Sequence, residues 1–374
     1  MKLFSTASLD KKLIIVLIIL AFLNLFHIFT ISESRVAGSD SYTYTAAMEH
    51  LLDRPLNSVA QVKPVDLNEF QIKTRLLTAP LMVITSMAVG MLANDFIFGM
   101  ILINTLFYLL LIFVFYFFSK DVYKSSVVAF FSTFLVLFAY VMHDSGVSAI
   151  ADIGGWFFMV LTSFCALKYY QGNDKKFFYL AIVSSVVGVF FKETGALGMI
   201  SLGMFILFSA KPFINKIKEI ALAAILFLIV PLLYYLYFYW QFNFTYLDWY
   251  GRNADAYFKG TGEGNDYNLI LLIKVLGWLY LAGWPLFLYG AWLEWKEKNK
   301  ARLLVLLALL PASLMFLLWP ALVQRIAFIF VFWLALISGY ALSKMNKYLV
   351  LFYLVFYIII AYTTPVLRDI INLF

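Results

Sequence analysis

Asp40 lies in Gly38-Ser39-Asp40-Ser41-Tyr42-Thr43-Tyr44-Thr45-Ala46, a polar stretch that follows a long apolar run. Ser39 suits a helix N-cap, which sets Asp40 in the first turn of a helix reaching about Asp53. The positive helix end favours the ionised carboxylate there. Such a group beside a membrane suits a general base; an ordinary helix-start aspartate is the plainer reading of the same residues. Phe190-Phe191-Lys192-Glu193-Thr194-Gly195 interrupts two short apolar runs. Its lysine either reaches an anionic headgroup or pairs with an acid such as Asp144 or Asp152. Arg325 opens a late apolar run and suits a fork on phosphate oxygens, or else an interfacial anchor. Arg75 and Arg252 are further cations outside the apolar runs, and Asp144 and Asp152 lie between two of them. Ionisable groups at or within a membrane are costly and face a cavity or a partner, and their gathering at one face favours a site over scattered anchors.

Several chemistries lack material. There is one cysteine, Cys165, and three scattered histidines, His27, His50 and His143, so neither a disulfide nor a zinc cluster is expected. No phosphate loop, dinucleotide glycine fingerprint, Gly-x-Ser-x-Gly, His-Glu-x-x-His or Asp-x-Asp occurs. No cofactor is indicated, and a divalent cation is left open without a visible ligand set.

The elements that must position these groups are membrane helices. Of the 374 residues, 64% are hydrophobic and only 13% charged, with a mean hydropathy of +0.89. That excess exceeds what an aqueous core hides and excludes a soluble or disordered chain. Long unbroken apolar runs exclude a β-barrel. The expectation is an all-α polytopic membrane protein forming one domain over 1–374. Eleven spans are read at 12–32, 96–118, 125–142, 153–170, 177–191, 195–210, 219–240, 268–291, 303–319, 325–343 and 347–363. No internal repeat is visible.

The formal charge of +7 does not point to nucleic acid, because the cations sit in short gaps between apolar runs. With Lys11 and Lys12 placing the N-terminus in the cytoplasm, alternation puts 17 of the 28 cations on that side and only six of the 21 acids, which fixes the orientation in the cell membrane. Counting 76–93 as a span would invert every later gap, so it reads as an in-plane or re-entrant piece. Residues 33–95 then form a long external first loop with juxtamembrane helices, and 241–267 a second external loop; long loops in compact proteins are usually functional.

The order of these motifs resembles the class C glycosyltransferases, which include the protein O-mannosyltransferases and the aminoarabinose transferases of lipid A. Asp40, Tyr42, Tyr44 and Ala46 after the first span look like the first-loop motif. Arg75 and Pro80 are similar to the juxtamembrane segment, and Asp152 with Phe157 resembles the second acidic position. Lys192-Glu193-Thr194-Gly195 resembles the later break, and Arg325 the C-terminal arginine helix. The resemblance implies sugar transfer from a polyprenyl-phosphate donor to a glycan, lipid or protein acceptor at the outer face. Asp40 would then be the base, with inversion. Lys192, Arg325, Arg75 and Arg252 would hold phosphate, and Asp152, Asp144, Tyr42, Tyr44 and Glu193 the sugar or acceptor. The competing class is a transporter or flippase of a lipid-linked or small anionic substrate, for which inverted repeats are expected.

Overall fold

A computed structural model of the chain describes residues 6–31, 39–52, 69–258, 269–319 and 323–371. Among them there are helices and no strands. In chain order these are α1 (Thr6–Ile31), α2 (Ser39–Leu51), α3 (Glu69–Thr78), α4 (Pro80–Ala93), α5 (Phe96–Tyr123), α6 (Ser126–Leu137), α7 (Tyr140–Ser145), α8 (Asp152–Gly172), α9 (Lys175–Phe191) and α10 (Gly198–Phe208). They continue with α11 (Phe213–Phe242), α12 (Tyr246–Phe258), α13 (Leu269–Tyr280), α14 (Gly283–Glu297), α15 (Lys300–Leu314), α16 (Gln324–Ala327), α17 (Ile329–Lys344) and α18 (Lys347–Ile371). Single turns of 3-10 helix cover Glu193–Leu197 and Met315–Leu318.

Four of the helix–helix joints share one two-residue chemistry. Asn94, Lys124, Asn173 and Lys298 each adopt a left-handed conformation that ends one helix, with φ of 54°, 53°, 51° and 52°. The next residue, Asp95, Ser125, Asp174 or Asn299, accepts a backbone N–H of the following helix through its side chain. Across three of these joints, α4–α5, α5–α6 and α8–α9, the joined helices pack against each other.

Ion pairs show which helix ends meet. Asp10 at the start of α1 bonds Lys120 and Tyr116 at the end of α5. Asp121 takes Lys168 at the end of α8, 2.5 Å away. Lys211 meets Glu219 and Tyr169. Arg302 joins Glu294 and Glu297 while lying over the Tyr123 ring, and Lys344 meets Glu297. The lysine-rich gaps therefore gather at one end of the bundle. Asn104 of α5 bonds the carbonyls of Ser148 and Ile150, just ahead of Asp152. It lies sixteen residues before Lys120, so Asp152 stands about 24 Å from the lysine-rich end at 1.5 Å per residue. A hydrocarbon core is ~30 Å thick, which sets Asp152 near its far side.

Residues 76–93 follow from this geometry. Pro80 starts α4 and drives Ala79 out of the helical region, to φ −147° and ψ 49°. The result is a 99° bend between α3 and α4. α4 then packs back along α5, closely enough that a Cβ on Gly99 would overlap the carbonyl of Ser86 and stand 2.8 Å from the Gly90 nitrogen. α5 itself runs to the lysine-rich end, and α4 packs against its opposite half.

The apolar runs map onto helices, but several are not single straight spans as expected. Five helices are long and apolar enough to cross alone, or up to seven if each of two bent pairs makes one. Run 125–142 stops at Leu137 and restarts at Tyr140, run 303–319 ends in the 3-10 turn, and run 268–291 bends by 87° between α13 and α14. At that bend Leu281 takes φ 29°, and Pro285, which has no N–H, falls in the first turn of α14.

Asn104 is the one positioning contact with a clear stability reading. Leucine there would leave the Ser148 and Ile150 carbonyls without their donor, at about 1–3 kcal/mol for a buried orphan. Asn104→Leu is therefore expected to lower the thermal unfolding midpoint of the purified protein; an unchanged midpoint would show that the α7–α8 connection is held by other contacts.

Candidate active site

Four segments far apart in sequence converge at the end of the bundle opposite the lysine-rich gaps. α2 presents Asp40 in its first turn, as the cap pattern predicts. α3 presents Arg75 in its last turn. Asp152 opens α8, and α16 carries Arg325. Arg75 Nη2 donates to Asp40 Oδ1 at 2.6 Å, and Arg325 Nη1 donates to Asp40 Oδ2 at 2.7 Å. Both carboxylate oxygens are thus engaged, one by each guanidinium. Arg325 Nε also faces Asp152 Oδ2 at 3.9 Å.

Arg75 is fixed from two further directions. Its Nε donates to Thr43 Oγ1 at 2.7 Å, and Thr43 in turn donates to the Asp40 carbonyl at 2.7 Å. Its guanidinium lies 4.6 Å above the Tyr44 ring. Asp40, Thr43 and Tyr44 share one side of α2 because residues three and four apart lie together on a helix.

Lys192 reaches the same region from the break between α9 and α10. Its backbone is extended, at φ −166° and ψ 140°, and the 3-10 turn follows. Glycines let α8 press against the break. A Cβ on Gly155 would stand 2.8 Å from Lys192 Cβ and overlap Thr194, and one on Gly195 would lie 2.5 Å from the Gly188 carbonyl carbon. Lys192 Nζ pairs with Glu193 Oε1 at 3.1 Å, a sequence neighbour rather than Asp152. Glu193 and Asp152 are buried, and neither Glu193 oxygen has a hydrogen-bond partner.

Three cations, Arg75, Lys192 and Arg325, thus meet three acids, Asp40, Asp152 and Glu193. The Arg75 guanidinium, with Arg325 and Lys192 adding to it, holds the Asp40 carboxyl well below the usual carboxylate range, against the opposing effect of burial. Chemically, two guanidinium forks on either side of one carboxylate are groups that can hold an oxyanion. Among the described residues no group of three or more His, Cys, Asp or Glu side chains is placed to hold a metal ion.

Of the expected residues, Asp40, Arg75, Asp152, Lys192, Glu193, Arg325 and Tyr44 come together here. Tyr42 is buried on the same α2. Asp144 lies on α7, with its side chain outside the described residues. Arg252 departs from the expectation: its guanidinium lies 4.1 Å over the Phe70 ring and joins α12 to α3 instead of meeting Asp40. Trp249, three residues earlier on α12, lies 5.6 Å from Trp319 in a tilted contact. Thr43, Asn104 and Gly155 were not singled out from sequence. Asn104 was visible as a lone amide in a 28-residue apolar helix, where a polar group demands a partner.

The architecture and the matches it finds show a multi-pass membrane protein with the fold of two solved membrane proteins, ArnT and AglB. The family model for dolichyl-phosphate-mannose-protein mannosyltransferases matches residues 78–235. The crystal structure of ArnT from Cupriavidus metallidurans bound to undecaprenyl phosphate superposes with a TM-score of 0.61 at 13% identity, over 88% of this chain and 60% of that one. The Archaeoglobus fulgidus oligosaccharyltransferase AglB, in complex with an inhibitory peptide and a dolichol-phosphate, gives 0.53 at 14% identity, over 95% of this chain and 54% of that one. Its apo form gives 0.52 with the same identity and coverage. The chain thus spans about 60% of the ArnT length. No curated protein matches it by sequence.

Proposed function

We propose that this protein transfers a sugar from a polyprenyl-phosphate donor to a hydroxyl of a glycan, lipid or protein acceptor at the outer face of the cell membrane. The observation that carries the reading is Asp40 held between Arg75 and Arg325, with Lys192 beside them, at the end of the bundle away from the lysine-rich gaps. Positive-inside orientation sets the lysine-rich end, with the N-terminus, in the cytoplasm and the site outside. Nucleotide sugars are cytosolic, so a donor at that face is lipid-linked. The solved relatives whose folds match include one bound to undecaprenyl phosphate and one bound to a dolichol-phosphate, which supports the same donor class.

In this reading Asp40 accepts the proton of the acceptor hydroxyl as its oxygen bonds the anomeric carbon. The bond from that carbon to the phosphate oxygen breaks, and its electron pair stays on the released polyprenyl phosphate, which gains one negative charge. Arg75, Arg325 and Lys192 stabilise that charge where it develops, so no cofactor is required. Direct displacement of the phosphate by the acceptor oxygen inverts the anomeric centre. Asp152, Glu193, Tyr44 and Tyr42, with Asp144 on the adjacent α7, supply hydroxyl-binding groups for sugar or acceptor.

The test is turnover by the purified protein in lipid nanodiscs with a panel of polyprenyl-phosphate hexoses and pentoses and a membrane glycolipid extract as acceptor. Free polyprenyl phosphate and a glycosylated product are expected with at least one donor and no nucleotide sugar. Silence across the panel, with a known transferase active in the same preparation, contradicts the reading.

A further inference from the structure

The arrangement at Asp40 fits poorly with a carboxylate that simply waits as a base. Each of its oxygens takes a charge-assisted hydrogen bond, at 2.6 Å from Arg75 and 2.7 Å from Arg325. A carboxylate so engaged is a weak proton acceptor, because two guanidiniums already stabilise its charge. The same two guanidiniums are the groups suited to a phosphate. Arg75 is also held apart from Asp40, by the Thr43 hydroxyl and the Tyr44 ring, and Arg325 faces Asp152 at 3.9 Å as well. Removing Asp40 from between them leaves a pre-aimed pair of forks.

We infer that Asp40 is the resident occupant of the donor's phosphate subsite: the incoming phosphate displaces it from Arg75 and Arg325, and only then is the carboxylate free to take the acceptor's proton. This inference rests on the proposed lipid-phosphate donor and adds an order to it. The electrostatic reason is the even count of charges. Arg75, Lys192 and Arg325 balance Asp40, Asp152 and Glu193, so a phosphate brought among them leaves an excess of negative charge in a poorly solvated place. With its guanidinium partners taken by the phosphate, the Asp40 charge is no longer stabilised, and the carboxylate becomes a stronger proton acceptor. The proton it takes is the one the acceptor hydroxyl must lose. Donor binding and base activation are then one event, and the site does not deprotonate an acceptor, or water, before a sugar is in place.

The exchange makes a prediction opposite to that of an ordinary binding residue. The probe is undecaprenyl phosphate, and affinity is measured on the full chain in nanodiscs for the wild type, Asp40→Asn and Glu193→Gln. Asp40→Asn is expected to bind about tenfold tighter than the wild type, the order gained when a hydrogen-bonded charged competitor is removed, although it has lost transfer. Glu193→Gln neutralises a nearby acid but leaves the forks occupied, so its gain is expected to be smaller. Equal gains in the two variants overturn the exchange by showing a general field effect, and unchanged or weaker binding by Asp40→Asn overturns it directly. In either case, binding by the wild type leaves the donor assignment standing. If neither wild type nor variants bind the probe, the donor assignment falls and the exchange with it. Should Asp40→Asn not fold, as judged by its unfolding midpoint, Asp40→Ser carries the same comparison.

Discussion

Replacing Asp40 by Asn is expected to slow sugar transfer by about two to four orders of magnitude, the usual contribution of a positioned general base. The amide keeps the shape of the side chain and still offers an oxygen to one of the two guanidiniums, at Arg75 or at Arg325. The helix start on which it sits is unchanged, so folded protein is expected in good yield. What is lost is the capacity to accept a proton. The check is the rate of polyprenyl phosphate release by purified, monodisperse variant at saturating donor. A rate within a few fold of the wild type removes Asp40 from the chemistry, even if every contact described above is correct.

The second large effect is expected at Arg325. It is the longest-range contact of the site, linking α16 to Asp40 of α2 and to Asp152 of α8. Arg325→Leu takes away one of two forks on the phosphate, and removal of one preorganised donor of this kind typically costs about 10²–10³ in rate. Stability is expected to fall by less than for a fully buried pair, because the Arg325 side chain is 40% exposed and solvent screens part of its charge. Arg325→Lys is expected to recover little: an ammonium is a single point of charge and does not reach Asp40 Oδ2 and Asp152 in the planar geometry that the guanidinium provides. The readout is the split between kcat and the apparent KM for donor. Loss mainly in kcat places Arg325 at the departing phosphate, whereas full activity in the lysine variant contradicts a fork.

The sequence revealed the members of the site better than their contacts. Composition and the gaps full of lysines were enough to infer a helical membrane bundle and to separate its two ends, because burial in lipid and the side preference of cations are local properties of a sequence. Asp40, Lys192 and Arg325 were legible for a related reason: a charge next to an apolar run is costly and invites a partner. Their partners were not legible. That Lys192 meets Glu193 and that Asp40 meets two arginines depends on how α2, α3, α8 and α16 pack, and no sequence period encodes that. Arg252 shows the limit well. It has the same residue type and loop setting as Arg75, yet its guanidinium lies over the Phe70 ring. The straightness of spans was also overestimated. The 87° bend between α13 and α14 lies inside an apolar run whose hydropathy gives no warning, and only Gly283 with Pro285 hints at it.

The packing glycines belong to the same lesson. Gly155 and Gly195 read as unremarkable small residues in apolar runs, but each sits where a methyl group would press on the Lys192 break. Gly155 lets α8 approach the break closely enough for Lys192 to share a site with Asp152, and Gly195 lets the break lie against Gly188 of α9, demands set by backbone proximity.

The central claim is that Arg75 and Arg325 form one phosphate site beside Asp40. A density map of the full chain in nanodiscs with undecaprenyl phosphate bound tests it most directly. The account predicts the phosphate within hydrogen-bond reach of both guanidiniums, with Lys192 nearby and the polyprenyl chain leaving toward the membrane. A phosphate seated at the lysine-rich end, or one that leaves both Asp40 contacts intact and touches neither arginine, would contradict it.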